Sequence, residues 1–262
     1  MSSLSGRHAI VTGSTSGIGH GIAEVLAAHG CDITLNGLGD AADIEKLRSG
    51  MASKHGVNVR YSNADMTKPD QIRAMVADAE KEAGHVDILV NNAGIQYTAP
   101  VEEFPSAKWD AIIAINLSAS FHSIAAAVPG MRKRGFGRII NIASAHGLVA
   151  SIHKAAYVSA KHGLVGLTKV VALETARDPI TCNAICPGWV LTPLVQKQIE
   201  DRAAEEGKSI EDTSNELLAE KQPSMQFVTP EQLGGFAVFL SSDSAAQLTG
   251  QALAMDGGWT AQ

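Results

Sequence analysis

The sequence is poor in cysteine and carries no excess of positive charge, and each shortage argues against a class of protein. Its 262 residues include three cysteines, none in a C-x-x-C pair, which argues against a disulfide framework and a cysteine-based metal site. The formal net charge of −6 gives no electrostatic reason to expect nucleic acid or an anionic membrane as a partner. We therefore expect a reduced, soluble, cytoplasmic protein without a metal site.

Long apolar runs are also missing. Residues 1–7 lack the apolar core of a signal peptide, and no uninterrupted apolar stretch reaches the length of a membrane span. There is no internal repeat and no low-complexity segment. The composition, 45% apolar and 18% charged, suits a well-buried core, and the length fits one α/β domain over residues 1–262.

Strand-like apolar runs alternate with helical patterns along the chain without a linker. This alternation is typical of a doubly wound α/β fold, in which helices cover both faces of a parallel sheet. Strands are predicted near residues 8–12, 31–36, 57–62, 86–91, 137–143, 180–185 and 252–256.

One long, charged, helix-prone stretch interrupts the alternation between about residues 190 and 222. It follows Pro187-Gly188 on the carboxyl side of a strand, where α/β sheets place their ligand crevice. A solvated helical hairpin without a functional role is one interpretation of this stretch. We favour the other, a mobile helical lid that closes over a substrate and excludes water.

A glycine-rich turn follows the first predicted strand and precedes a helical stretch, a context that favours phosphate binding. Within residues 12–19, Gly13 permits the tight turn, and Gly17 and Gly19 let a ligand approach the backbone closely. The helix start offers free amides to a pyrophosphate. The spacing G-x-x-x-G-x-G differs from the commoner G-x-G-x-x-G, and an ordinary strand–helix turn with several glycines is the alternative.

Tyr157 and Lys161 are four residues apart and therefore share one face of a helix. An ammonium beside a phenol favours the phenolate and lowers the tyrosine pKa from about 10 toward the working range. Ser144 ends a predicted strand, where it could hydrogen-bond a substrate oxygen. Alone, a Tyr-x-x-x-Lys pair is typical of surface neighbours, but the glycine-rich turn and Ser144 favour an acid–base site.

Together these motifs resemble the short-chain dehydrogenase/reductase family over about residues 5–258. The resemblance rests on residues 12–19, Asn91-Asn92-Ala93-Gly94, Asn116, Ser144, Tyr157, Lys161 and Pro187-Gly188. It implies a Rossmann-type sheet of seven parallel strands, assembly as a homotetramer, and hydride transfer between a nicotinamide and an alcohol or ketone. It implies that Tyr157 is the acid–base, with Lys161 lowering its pKa and holding the nicotinamide ribose. It further implies that Ser144 orients the reacting oxygen and that Asn116 holds a water linking Lys161 to solvent.

The same resemblance implies a cofactor cleft built from loops that follow the strands. Gly37 and Leu38 stand where relatives carry an acid for the NAD ribose or a base for the NADP phosphate, and Ser16 is uncharged as well. A phosphate beside Leu38 would lack a partner, so we predict NAD, with Asp65 as the acid that contacts the adenine. The residues predicted to bind the cofactor are Gly13, Thr15, Ser16, Gly17, Ile18, Gly19, Leu38, Asp65, Asn92, Ala93, Gly94, Tyr157, Lys161, Pro187, Gly188, Val190 and Thr192.

Side chains around the acid–base trio suit a small anion. A lysine and several neutral hydrogen-bond donors could hold a carboxylate, while tryptophans wall off the apolar side. The residues predicted to bind substrate are Gln96, His146, Lys154, Trp189, Gln198 and Trp259. Each also has an ordinary alternative role, as a surface charge, a polar helix face, a loop cap or a packing anchor.

Further strings narrow the resemblance to members of the family that interconvert (R)-3-hydroxybutyrate and acetoacetate with NAD. These strings cover residues 94–96, 143–151, 186–190, 217–223 and 256–259. Leu191 departs from the pattern, because some relatives carry arginine there. Two alternatives are a reductase of 3-oxoacyl thioesters, on which Lys154 would lack an obvious partner, and a nicotinamide-binding sensor, for which a tuned phenol has no use.

Overall fold

The computed structural model describes residues 3–261, which fold around a single seven-stranded sheet. The strands are β1 (His8–Val11), β2 (Asp32–Asn36), β3 (Val59–Ser62), β4 (Ile88–Asn91), β5 (Gly137–Ile142), β6 (Ile180–Pro187) and β7 (Ala252–Met255). All are parallel, in the order β3-β2-β1-β4-β5-β6-β7. The predicted Rossmann-type sheet is confirmed, and every strand lies within two residues of its predicted bounds.

Helices cover both faces of this sheet. They are α1 (Gly17–Ala28), α2 (Ala41–His55), α3 (Pro69–Ala83), α4 (Ser106–Ile113), α5 (Ala119–Arg134), α6 (Ala155–Glu174), α7 (Pro193–Glu206), α8 (Ile210–Ala219) and α9 (Pro230–Ser241). A π-helical turn, Ala114–Ser118, joins α4 to α5. The strand order reverses between β1 and β4, and open α/β sheets bind their ligands at the carboxyl ends of the strands beside such a reversal.

Side chains of β1 alternate between two apolar layers, since successive residues of a strand point to opposite faces. Ala9 and Val11 pack with residues of α1 and α9, whereas Ile10 packs with residues of α3 and α5. All three are inaccessible to solvent. Because both faces are covered, β1 has no polar side for water and is buried along its whole length.

Residues 190–222, the predicted lid, fold as the helical pair α7 and α8. Thr192 caps α7 by accepting a hydrogen bond from Val195 N at 3.3 Å, and Pro193 occupies the first helical position. Gly207 ends the helix in the left-handed conformation, with φ of 65°. Arg202 then pairs with Glu216 of α8 and with Glu220 directly after it, each at 3.5 Å, so two ion pairs link α7 to the second half of the lid.

The helical segment from Ser106 to Arg134 is, by length and composition alone, long and apolar enough to cross a membrane. The sequence expectation considered only uninterrupted apolar runs, and this segment includes scattered polar residues such as Asn116. Here the segment packs against α3, α6 and the strands β4 and β5. Asn116 in its middle is buried and bonded to the backbone of Ile95. Packing of this kind buries 39% of the most apolar window of this segment.

His8 is buried at the start of β1. It therefore lies at the amino ends of the strands, on the side of the sheet away from the ligand crevice. Its Nδ1 donates to the carbonyl of His85 at 2.7 Å, and its Nε2 lies 2.8 Å from the Thr34 hydroxyl. In the neutral ring with this tautomer, Nε2 accepts from that hydroxyl. Burial is the largest effect on this residue and lowers the pKa of His8 from its usual value, aided by the charge of Arg60.

We predict that the free energy of unfolding decreases as the pH falls below about 6.5. Because the pKa of His8 is lowered in the folded protein, the unfolded chain binds a proton first, and stability is lost on acidification toward the lowered value. Denaturant unfolding near pH 5 and near pH 7.5 measures the effect. His8→Gln should show a smaller pH dependence than wild type, while His162→Gln, at an exposed position, should match wild type. Equal dependence in His8→Gln and wild type would contradict the assignment.

Candidate active site

The glycine-rich turn lies at the carboxyl end of β1, beside the reversal of strand order. A Cβ at Gly13, whose φ is 62°, would lie 2.8 Å from Cα of Ala93. At Gly19 a Cβ would lie 2.3 Å from the carbonyl oxygen of Gly13. Glycine is therefore required at both positions by close packing. Ser16, the N-cap of α1, makes no capping bond with its side chain, which leaves the first amides of α1 available for a ligand phosphate.

Asn92 and Thr12 hold the loop after β4 beneath this turn. The Asn92 side-chain amide donates to the carbonyls of Thr12 and Gly13 at 2.9 and 3.0 Å. The Thr12 hydroxyl accepts from the backbone amides of Asn92 and Ala93 at 2.9 and 3.0 Å. Asn92, predicted to line the cofactor cleft, therefore uses its side chain to support the turn, and Ala93 packs against Gly13.

A pocket of about 240 Å³ lies beyond the end of β2 and next to the glycine-rich turn. The predicted residues Thr15, Ser16 and Leu38 line it. Gly37 brings the segments together, because a Cβ there would lie 2.4 Å from the hydroxyl of Thr15. The pocket also contains two carboxylates that the sequence interpretation missed, Asp40 and Asp43. That interpretation considered only the positions directly after the strand, whereas these residues start the next helix.

Asp40 has a structural task as well as a place in this pocket. Its Oδ1 accepts hydrogen bonds from the amides of Ala42 and Asp43 at 2.8 and 3.2 Å and so caps α2. Asp65, predicted to contact the adenine, accepts from the amide and hydroxyl of Thr67, both at 2.8 Å. These bonds hold the pKa of Asp65 below its usual value. The free amides of α1, the glycines and this acidic pocket fit a nicotinamide dinucleotide.

Helix α6 carries Tyr157 and Lys161 on one face, as predicted. The Lys161 ammonium donates to the carbonyl of Ile142, at the end of β5, at 2.7 Å. It lies 5.5 Å from the centre of the Tyr157 ring. Only 4% of Lys161 is exposed. Burial lowers the pKa of Lys161 to about 8, with a small opposing effect from Cys186.

The prediction that Lys161 lowers the pKa of Tyr157 stays a prediction. Burial raises the pKa of Tyr157, and the neighbouring Ser144 hydroxyl acts in the opposite direction. The physical reason is that burial removes the water that would solvate a phenolate, while the ammonium points toward a strand carbonyl. The two groups therefore share one buried environment that disfavours charge on each of them.

Ser144 follows the end of β5 and caps a short 3-10 turn, Ala145–Gly147. Its hydroxyl accepts from His146 N at 3.1 Å and lies 3.4 Å from His146 Nδ1. The other ring nitrogen of His146 pairs with the Ser151 hydroxyl at 2.9 Å. Burial and the charges of Lys154 and Lys221 lower the pKa of His146 to about 4, so the ring is neutral at neutral pH. His146 therefore orients Ser144 as a hydrogen-bonding partner and carries no charge.

Asn116 lies in the π-helical turn between α4 and α5. Its side-chain oxygen accepts from Ile95 N at 2.9 Å, and its side-chain amide donates to Ile95 O at 2.9 Å. The side chain thus fixes the loop that follows Gly94. The predicted water-holding role of Asn116 stays a prediction, since its amide is engaged with the backbone.

A cavity of about 740 Å³ opens beside the acid–base residues. Its lining includes four predicted substrate residues, His146, Lys154, Trp189 and Trp259. The rings of Trp189 and Trp259 stack at 6.5 Å, and Trp259 meets His146 edge-on at 5.1 Å. The Lys154 ammonium lies 5.7 Å from the centre of the Trp189 ring. Apolar walls and an ammonium together suit a short acid.

Two predicted substrate residues do not line this cavity. Gln96 and Gln198 are both exposed, on the loop after β4 and on α7. Two residues that the sequence interpretation missed do line it, Glu220 and Lys221 at the end of the lid. No local signal marks them, because the charged lid segment contains many similar residues.

Comparison with known proteins places this arrangement in a family. Residues 13–260 match a family described as enoyl-(acyl carrier protein) reductase. The chain belongs to the short-chain dehydrogenase/reductase family. Within it, the D-beta-hydroxybutyrate dehydrogenase of Cupriavidus necator is 59% identical over 259 residues, which cover 99% of this chain and 100% of that protein. The protein of the same name in Rhizobium meliloti is 54% identical over 254 residues, which cover 97% and 98%.

A solved member of the family shares the fold closely. The crystal structure of L-sorbose reductase from Gluconobacter frateurii, complexed with NADPH and L-sorbose, matches with a TM-score of 0.95. The two chains are 32% identical, and the match covers 99% of this chain and 98% of the other. A nicotinamide cofactor is therefore a property of this family that the glycine-rich turn here fits.

The remaining predicted cofactor residues lie where the lid begins. The methyl group of Thr192 would lie 3.7 Å from a Cβ at Gly17, so the start of the lid approaches the glycine-rich turn. Val190 forms a bridge with Val228, and Gly188 lies against the side chain of Gln222. The end of β6, including Pro187, therefore joins the cofactor side of the cleft to the lid.

We predict that the double variant Asp40→Asn, Asp43→Asn binds NADPH more tightly than wild type, while its affinity for NADH changes little. Two carboxylates in the pocket beyond β2 repel a ribose phosphate, and each removed charge should improve NADPH affinity about threefold to fivefold. Asparagine preserves the cap of α2. Fluorescence titration with both dinucleotides measures the effect. An unchanged ratio of the two dissociation constants would show that these carboxylates do not face the phosphate.

Proposed function

We propose that this protein is an NAD-dependent dehydrogenase that interconverts (R)-3-hydroxybutyrate and acetoacetate. The observation that carries the proposal is the cavity that contains Lys154 and is walled by His146, whose ring contacts both Ser144 and Tyr157. Such a cavity offers a cation to a carboxylate and a hydroxyl-binding group a short distance away. The names of the relatives from Cupriavidus necator and Rhizobium meliloti support the same substrate.

Lys154 holds the carboxylate in this proposal. It is the N-cap residue of α6 and lies three residues, less than one helical turn, before Tyr157. The tryptophans beside it exclude larger groups. Burial and the charge of Lys221 lower the pKa of Lys154, so an anionic partner would stabilise its ammonium. Gln96 and Gln198 are exposed, so they reach the carboxylate only when the lid closes.

Ser144 and Tyr157 form hydrogen bonds with the 3-hydroxyl of the substrate, and Tyr157 as phenolate accepts the hydroxyl proton. A bound nicotinamide supplies the hydride acceptor. Lys161 would hold the nicotinamide ribose, and it passes the proton on toward Asn116 and solvent. His146 holds the Ser144 hydroxyl in position through its neutral ring. Correct placement of the reactants and acid–base transfer are the two sources of rate, the second contributing roughly 10²–10⁴-fold.

We also propose that the protein acts as a cytoplasmic homotetramer. The cysteines Cys31, Cys182 and Cys186 are all free and buried, as suits a reducing compartment. Large apolar side chains are exposed on α5 and α6, among them Phe121 at 52% and Leu173 at 79%. Exposed apolar surface of this kind suits contact between subunits.

The decisive experiment supplies the purified protein with NAD and each enantiomer of 3-hydroxybutyrate. We expect rapid NADH formation from the R form alone. Tyr157→Phe should reduce turnover by at least about 10²-fold, since it removes the acid–base, and should leave NADH binding close to that of wild type. Absorbance at the NADH band and fluorescence titration measure the two quantities.

The same assay separates the alternatives. Acetoacetate and an acetoacetyl thioester are offered with NADH, and the free acid should be strongly preferred. Preference for the thioester would identify a 3-oxoacyl reductase, and tight NADH binding without any turnover would identify a sensor. Retained turnover in Tyr157→Phe would refute the assigned mechanism.

We predict that kcat/KM for oxidation increases with pH and levels off above an apparent pKa near 8. Oxidation needs the Tyr157 and Lys161 pair to have lost one proton, and burial lowers the pKa of Lys161 to about 8. In the singly protonated pair the remaining proton can sit on Lys161, which leaves Tyr157 as the phenolate base. Below this pH both groups are protonated, so the base is missing. His146→Gln should show the same rise of kcat/KM with pH, because the pKa of His146 is about 4. A rise that shifts or disappears in His146→Gln would assign the titration to the histidine.

A further inference from the structure

Lys221 occupies the end of the lid, directly after α8, and lines the substrate cavity. Its neighbour Glu220, also in the cavity wall, is paired with Arg202 at 3.5 Å. The Lys221 backbone amide donates to Leu218 O at 3.1 Å, but its ammonium forms no ion pair or hydrogen bond with any residue in 3–261. The cavity therefore contains an ammonium that the mechanism above does not use.

Two ammonium groups from different elements share this cavity. Lys154 comes from the start of α6 and Lys221 from the end of the lid, and His146 between the aromatic rings is neutral. The charge of Lys221 disfavours the charged form of Lys154, which lowers the pKa of Lys154. Repulsion of this kind is relieved when an anion binds among the cations. No carboxylate in residues 3–261 pairs with either ammonium, and the nearby carboxylate of Glu220 pairs with Arg202 instead.

The backbone at Lys221 is fixed to the body of the protein. Gln222 is fully buried, and its side-chain oxygen accepts from Trp189 N at 2.8 Å. Its backbone amide donates to Leu218 O at 2.7 Å. Lys221 thus stays near Trp189 in the cavity wall, whereas Gln198 lies on the exposed surface of α7. Lys221 therefore presents its charge to the cavity without movement of the lid helices.

We infer that Lys221 is a second carboxylate-binding residue, which captures the substrate anion together with Lys154 and sets the preference of the site for acids over neutral alcohols. The inference rests on the proposed function, since it deepens the account of the same substrate. A carboxylate has two oxygens and can accept hydrogen bonds from both ammonium groups at once. Bound in this way, it links α6 to the end of the lid.

The test compares Lys221→Gln with Lys197→Gln. Both variants remove one positive charge from the lid, but Lys197 is 72% exposed and paired with Asp201 on the surface of α7. Lys221→Gln should raise the KM for 3-hydroxybutyrate about tenfold, as expected for a lost charged hydrogen bond, with kcat within about twofold of wild type. The KM for NAD and the thermal unfolding midpoint should stay unchanged. Lys197→Gln should match wild type in every parameter.

A neutral substrate distinguishes a role of Lys221 in binding the substrate charge from a purely structural role. The methyl ester of 3-hydroxybutyrate lacks the charge, so the ratio of kcat/KM for acid over ester should fall about tenfold in Lys221→Gln and stay unchanged in Lys197→Gln. Equal ratios in all three proteins would overturn the inference. So would a loss of kcat for acid and ester alike.

Binding of acetoacetate to the NADH complex, measured by calorimetry, separates failure of the inference from failure of the proposed function. Absence of turnover in wild type would refute the function. Weaker acetoacetate binding in Lys221→Gln would still support the anion site in that case. Equal acetoacetate binding in Lys221→Gln and wild type would overturn the inference, whatever the turnover.

Discussion

A lysine ammonium buried against the end of β5 is the interaction on which the rest of the site depends. Taking an isolated charge out of water costs on the order of several kcal/mol in real proteins, and no carboxylate among residues 3–261 pairs with Lys161 to offset this. The carbonyl of Ile142 accepts a hydrogen bond from this ammonium instead. This bond ties α6 to the end of β5, two residues before Ser144, so the same contact helps to set the separation of Tyr157 and Ser144.

The cleft is built where the strand order reverses, and its two ends carry opposite charge. Near the end of β2, Asp40 and Asp43 make the pocket acidic, while Lys154 and Lys221 make the substrate cavity basic. The whole chain has a formal net charge of −6, so the basic cavity is a local exception on an acidic protein. A small anion is therefore drawn to the cavity by a local field, and a dinucleotide without a ribose phosphate suits the acidic end.

Local sequence was enough for the features that depend on local geometry. The alternation of apolar runs located all seven strands, and the four-residue spacing placed Tyr157 and Lys161 on one helix face. The glycines of the turn were recognised from their context, and their necessity follows from contacts with Ala93 and the Gly13 carbonyl. These properties are set by periodicity and by backbone conformation, which neighbouring residues in the chain control.

Features that depend on distant parts of the chain were missed or misjudged. The pKa of Tyr157 is governed by burial, which the four-residue spacing cannot reveal. Asp40 and Lys221 enter their pockets through the folding of whole loops, and nothing nearby in sequence distinguishes them from other charged residues. Gln198 is the opposite case, because a resemblance in sequence predicted it in the site and the fold leaves it exposed on α7.

His146 lies between Ser144 and Ser151 and close to Lys154 and Lys221. Its low pKa removes a third positive charge from the cavity, so near neutral pH the acid–base change is confined to the Tyr157 and Lys161 pair. The histidine can then position Ser144 in the same way before and after the proton moves.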